Sequence, residues 1–392
     1  MVTTNEENWM MRYNEQKAYV AVCYHYPDKH KVEFHGLLNW TKYNIPKENQ
    51  GRFLARKTKT PLQNIRSLSQ TKKSMSIDSF DYNKFANSLQ KARNYAANFK
   101  YKCCCPECNE AAIKSHLLQR HPVLEALTGN KNELLQFEDN WEDARSGRGD
   151  LYTEKTRGIN DAMQYRLFCG KHDSLLFKEL EIRNSIPESK RDCLLLAYRA
   201  ACSVRHQEER RMHLYESKIK HEPNEFNDAW LKKSQGFIRR MDAVIANLWE
   251  ALGGADNSYL FRMIALPYVP VAASDCIVDE EDYQQYILDD DCRTPFNCYF
   301  VNLIPNNERL LLLLGCDTRY DRNGEYKSIV TDFPANCDLP YLFFVETLWG
   351  ILLKCHNWCG SPKLAEDPKW KDFFDDYERM KVNDIVKKLQ KP

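Results

Sequence analysis

The chain has 392 residues, with 56 Lys and Arg against 55 Asp and Glu, a formal charge of +1, 43% apolar and 28% charged residues, and a mean hydropathy of −0.64. That length exceeds what one ordinary core serves, so two or three packed units are expected, and the wet composition argues against a membrane-embedded protein. Fifteen cysteines, an odd number, and an opening stretch without a secretory leader point to the cytoplasm, with thiols and not disulfides.

Taken in order, residues 18–26 and 31–35 flank Pro27-Asp28-Lys29 and predict a hairpin of two short strands, an edge of a sheet completed later in the chain. His25, His30 and His35 on these strands read as solvated side chains more than as a metal cluster. Residues 41–102 then hold fourteen Lys and Arg against three Asp and Glu, a net +11 that leaves the rest of the chain at −10. Such asymmetry signals polyanion contact. Its first half, to about Ser76, lacks sustained periodicity. Arg52, Arg56, Lys57, Lys59, Lys72 and Lys73 there are candidate nucleic-acid ligands, the other reading being a solvated linker. Its second half places Phe80, Phe85, Leu89, Ala92 and Ala96 near helical spacing behind a Ser79 cap.

Cys105-Pro-Glu-Cys108 is answered by Cys169-Gly-Lys-His172, three thiolates and an imidazole, the soft set that suits tetrahedral Zn²⁺. Cys103 and Cys104 are alternatives to Cys105, which is preferred because Cys-x-x-Cys is the usual knuckle spacing. Leu175, Leu176, Phe177 and Leu180 follow on one helical face, and a knuckle plus a helix start is how a treble-clef site is built. Between the halves lie Ser115-His116 and an insert, residues 125–166, that reads as a loop-rich lid with Arg145, Arg148, Arg157 and Arg166. His116 suits either a structural role or a general base.

Pro187 opens a helical run with Leu194, Leu195, Tyr198, Ala201, Cys202, Arg205 and Met212 on one stripe, and Pro223-Asn224 turns the chain into a second run ending at Gly253-Gly254. The two predict a long αα-hairpin. Arg199, early in the first arm, either reaches a phosphate or pairs with Asp173 or Glu181. From Tyr259 the texture becomes β: residues 260–265, 298–304, 310–316 and 326–330 read as short strands. Acidic residues 279–282 and 289–291 read as solvated loop. Helices are expected at 339–354 and 368–389; the apolar run 342–353 is short for a bilayer span and carries Glu346. Cys355 and Cys359 read as packing cysteines in preference to a second zinc site. No Walker loop, nucleophile elbow or dinucleotide fingerprint is present.

The set Cys105-x-x-Cys108, Ala112-Ile-x-Ser115-His116-x-x-Gln119, Phe168-Cys-x-x-His-Asp173-x-x-Leu176-Phe177 and Ala197-Tyr-Arg-Ala200 resembles a widespread group of poorly characterised bacterial proteins with an HNH-like zinc domain. Asn357-Trp358, Ser361-Pro362 and Trp370 are similar to how those chains end. The resemblance implies catalytic roles for His116 and Asp173, the latter helping to hold Mg²⁺ or Mn²⁺, and a nucleic-acid partner in anti-phage defence. Departures accompany it: Ser115 stands where an Asp is usual, Asp173 where an Asn is usual and Phe177 where the last His is usual. The fold class expected is α+β: an HNH-like treble-clef zinc domain, a long αα-hairpin and a C-terminal mixed β-sheet with closing helices. The segments are 1–40, 41–102, 103–185, 186–256 and 257–392. The alternative function is a non-catalytic sensor or adaptor with purely structural zinc, docking on an effector protein; a homo-oligomer fits either reading, and no membrane partner is expected.

Overall fold

A computed structural model describes residues 9–14, 19–26, 31–39, 82–128, 131–139, 152–221, 225–254, 258–278, 294–306, 308–321, 323–333, 348, 350–352, 354–364 and 366. The chain divides into two compact units. One comprises Met1–Ser79, Asp338–Leu353 and Phe373–Pro392; the other comprises Phe80–Cys337 and Lys354–Asp372.

In the first unit, β1 (Trp9–Asn14), β2 (Tyr19–Tyr26) and β3 (Lys31–Asn39) form an antiparallel meander in that order. The expected hairpin is β2–β3, with a register shift between Ala21 and Cys23. Among the described residues it belongs to its own three-stranded sheet and not to the edge of the later one. Arg52, Arg56, Lys57, Lys59, Lys72 and Lys73 lie outside the described residues, as do the acidic stretches 279–282 and 289–291 and the helix expected at 368–389; of the one expected at 339–354, positions 348 and 350–352 are helical.

The second unit begins with α1 (Tyr82–Asn98), whose Leu89, Ala92 and Ala96 are buried at the predicted spacing. Two strands, β4 (Ile113–His116) and β7 (Gln164–Phe168), pair antiparallel ahead of α2 (Gly170–Ile182). The insert between them supplies β5 (Glu133–Asp139) and β6 (Tyr152–Gly158), an antiparallel pair, so strands stand where a loop-rich lid was expected. Then come α3 (Lys190–His221) and α4 (Glu225–Leu252). Their antiparallel pairing is fixed by Arg191 Nη1 donating to Leu252 O at 2.7 Å and Ser234 Oγ donating to Glu208 Oε1 at 2.6 Å. Ser189 and Asp192 open α3 as a capping box. The Asp192 N–H donates to Ser189 Oγ at 3.2 Å, and the Ser189 N–H donates to Asp192 Oδ2 at 3.0 Å.

Strands β8 (Tyr259–Pro267), β9 (Val271–Val278), β10 (Cys298–Asn306), β11 (Arg309–Asp317) and, after α5 (Glu325–Asp332), β12 (Trp358–Gly360) complete a seven-stranded sheet of order β6-β5-β12-β9-β10-β11-β8. Every pairing is antiparallel, which corrects the expected mixed sheet: these strands meet through hairpins and returns, without the helical crossovers that parallel pairs need. Residues 326–330, read as a strand, are the heart of α5. Tyr326 and Val330 are buried four apart, a spacing that satisfies both periods. The helix wins because Asp321 accepts from the N–H groups of Tyr326 (3.2 Å) and Lys327 (2.8 Å) and Gly324 takes a left-handed φ of 69° before it.

One core joins these parts. Phe168 and Phe177 meet Leu194, Leu195, Tyr198 and Cys202 of α3, Met241 and Leu248 of α4, and Ala272, Cys276, Phe300 and Leu313 of the sheet. No helix among the described residues is long and apolar enough to cross a membrane.

Candidate metal centre

The first two ligands sit on a closed loop. Lys102 and Ala111 bridge antiparallel, the Cys103 N–H donates to Glu110 O at 3.0 Å, and the Cys108 N–H donates to Cys105 O at 3.2 Å. Glu107 makes the turn with φ 63°. The other two ligands sit at the start of α2, where Cys169 is the N-cap residue and its carbonyl accepts the Asp173 N–H at 2.9 Å. The β4–β7 pair holds the two halves together, and the Cys104 N–H donates to Leu167 O at 2.8 Å.

Four ligand atoms converge: Cys103, Cys108 and Cys169 Sγ and His172 Nδ1 all lie within 4.8 Å of one another. The Cys108–Cys169 sulfurs are 3.9 Å apart, and His172 Nδ1 stands 3.4 Å from Cys103 Sγ and 3.3 Å from Cys169 Sγ. A tetrahedron with Zn–S of ~2.3 Å and Zn–N of ~2.0 Å has edges of about 3.8 Å between sulfurs and about 3.5 Å from sulfur to nitrogen. The residues present therefore fit a tetrahedral zinc.

This set corrects one predicted ligand. Cys105 is buried beside the Tyr198 hydroxyl, its thiol pushed far up by burial, and Cys103 takes its place. The two cysteines of the loop are thus spaced Cys-x4-Cys. Cys103 itself is pushed up to about 11, first by burial. At Cys169 burial acts upward too, but the His172 N–H and the neighbouring thiols outweigh it and the pKa falls. A helix start and donated N–H groups favour the thiolate at such a position.

His116 lies on β4, between the two halves of the set. Its Nε2–H donates to Ile159 O at 3.0 Å, which leaves Nδ1 as the basic nitrogen. Burial holds it below the ordinary imidazole value, with Arg120 and Arg199 acting in the same direction, which favours the neutral ring. Ser115 beside it is buried, its Oγ without a hydrogen-bond partner. Asp173 and Arg199 lie within electrostatic reach of His116, and Asp173 Oδ1 is buried without a hydrogen-bond partner, 3.6 Å from the nearest guanidinium nitrogen of Arg199.

Only 1% exposed, Arg199 stacks its guanidinium 3.6 Å over the Phe177 ring and places Nη2 3.0 Å from Glu181 Oε1 and 3.6 Å from Asp173 Oδ1. Of its two sequence readings the carboxylate pair is the one found. So deep a guanidinium is not a surface ligand for nucleic acid, which corrects that assignment. Asp173 and Glu181 both stand against this fixed cation, and among the described residues the Cys103, Cys108, Cys169 and His172 group is the one that converges on a metal position. Cys355 and Cys359 are buried, the latter's thiol donating to Met163 Sδ at 3.3 Å.

Sequence reading assigns no role to the polar hub around Asn357. Its Oδ1 accepts from Tyr165 Oη (2.6 Å) and Gln207 Nε2 (2.8 Å), its Nδ2 donates to Ser203 Oγ (3.2 Å), and its N–H donates to the buried Asp275 (3.0 Å). It thereby ties β7, α3, β9 and the start of β12 together. Asn357-Trp358 was the only sequence signal for it, and its role is structural.

No family model matches the chain, and no curated protein or solved structure is significantly similar to it.

Proposed function

We propose that this is a nucleic-acid-directed protein stapled by a structural zinc in an HNH-like treble clef, working in bacterial defence against foreign DNA or RNA. The observation that carries the reading is the Cys103, Cys108, Cys169 and His172 set closing a loop, an antiparallel strand pair and a helix start into one unit, with His116 on the strand between the halves. Loop, hairpin and helix in that order suit a treble clef, and the net +11 of residues 41–102 supplies the electrostatic affinity. Defence rests on the resemblance of the motifs.

A cleaving version is favoured by one further observation. His116 keeps its Nε2–H on a backbone carbonyl and presents Nδ1 neutral, the state a general base needs; Mg²⁺ or Mn²⁺ would then complete the chemistry. A docking version, in which the zinc unit is a sensor or adaptor for an effector protein, is favoured by Leu175 and Ile182, 68% and 71% exposed on α2.

The test is binding and cleavage of plasmid, linear and single-stranded substrates, with and without Mg²⁺ or Mn²⁺, by wild type and His116→Ala. Salt-sensitive binding by both proteins with zinc retained is the expected result. Divalent-dependent cutting lost in His116→Ala would select the cleaving version. Failure of the wild type to bind any of the substrates at low salt would overturn the proposal.

A further inference from the structure

Residues 82–102, α1 and the four residues that follow it, carry lysines and arginine without a carboxylate. The five cations are Lys84, Lys91 and Arg93 within α1 and Lys100 and Lys102 after it, Asp81 standing immediately before the helix. A helix face serving only its own stability interleaves Glu with Lys at four-residue spacing, gathers acids in its first turn and gathers bases in its last. In α1 the first turn has no acid and the last turn no base.

The exposed ridge is built of ammonium and amide groups around one aromatic ring. Leu89, Ala92 and Ala96 are buried, while Lys91, Asn94, Tyr95 and Asn98 are exposed. The amides are ordered along it: Gln90 Nε2 donates to Asn94 Oδ1 at 3.0 Å, and Asn98 Nδ2 donates to Asn94 O at 2.9 Å. Tyr95 remains 37% exposed, with Lys220 Nζ of α3 5.2 Å from its ring centre. The ring packs edge-on to Phe99 and His213 at 6.2 and 6.4 Å, and its exposed part, with Lys220 over it and Lys91 one turn earlier on the same ridge, suits a stacked base with phosphates nearby, whatever the base.

We propose that this face is the seat of a single-stranded nucleic acid, one base stacking on Tyr95 while Lys91, Lys100 and Lys220 meet the neighbouring phosphates. The assignment rests on the nucleic-acid reading above and deepens it by naming the strand state and the place.

The experiment is fluorescence anisotropy of the full chain with labelled single-stranded and duplex oligonucleotides across a salt series. The proteins compared are wild type, Tyr95→Phe, Tyr95→Ala and the double change Lys91→Gln with Lys100→Gln, each checked for zinc and helix content. The wild type is expected to prefer single strands. Tyr95→Ala is expected to weaken that binding about tenfold with little change in salt dependence, while Tyr95→Phe binds as wild type. The double change is expected to flatten the salt slope by roughly 0.7 for each phosphate no longer neutralised. If the wild type binds but the Tyr95 and lysine variants bind identically to it, the α1 assignment falls and the nucleic-acid reading stands. A duplex preference indifferent to Tyr95 also overturns it, and no wild-type binding at all removes both.

Discussion

Arg199 shows how a single buried charge decides what the surrounding residues can do. A guanidinium 1% exposed, stacked on Phe177 and set against Glu181 and Asp173, costs desolvation that its partners and the ring must offset. Arg199→Met should therefore destabilise the protein by about 3 kcal/mol, through two carboxylates left without a cation and an aromatic face left without its guanidinium; a change in urea midpoint equivalent to under about 0.5 kcal/mol would contradict the ion-pair account. Residue types foretold this pairing as one of two options, because Arg, Asp and Glu are complementary wherever the fold brings them together. The metal ligands were legible in kind but not in every number. Cys108, Cys169 and His172 fell out of spacing, whereas three consecutive cysteines left three choices, and the Lys102–Ala111 bridge that aims Cys103 inward and Cys105 toward Tyr198 leaves no mark on local sequence.

At the scale of elements, what sequence showed well was long and periodic. The αα-hairpin and α1 followed from apolar residues recurring with the helical period, and β10 and β11 from continuous apolar runs. What it hid was short or doubly ambiguous. Residues 326–330 satisfy strand and helix periods alike, and β5 carries no clean alternation because Leu134 and Leu135 are both buried. Three-residue β12 is the least legible of all, yet it links β5 to β9. A Cβ on its Gly360 would stand 2.6 Å from Leu364 Cδ1, which would have to shift, and 3.3 Å from Pro270 O. Gly360→Ala should cost about 1–3 kcal/mol and loosen the β5–β6 pair first, read as faster amide exchange at residues 153–157 than in the rest of the sheet. Unchanged exchange there would mean that β12 is not the strand that holds them.

At the scale of the whole molecule, the Cys103, Cys108, Cys169 and His172 group lies within the second compact unit. Phe168 and Phe177 run from the metal centre into the same core as α3, α4 and the sheet, and Asn357 ties the ends of that unit with hydrogen bonds. Described residues of segments that sequence set side by side, 103–185, 186–256 and 257–392, contribute to that core, because antiparallel returns place β12 between β5 and β9, a long-range pairing with no local signal. Since the ligands must be deprotonated, metal should be held less tightly as pH falls. The decisive measurement is the zinc content of purified wild type, Cys103→Ser and Cys105→Ser. One zinc per chain is expected in the wild type and in Cys105→Ser, and its loss in Cys103→Ser; zinc kept by Cys103→Ser and lost by Cys105→Ser would contradict the ligand set described above.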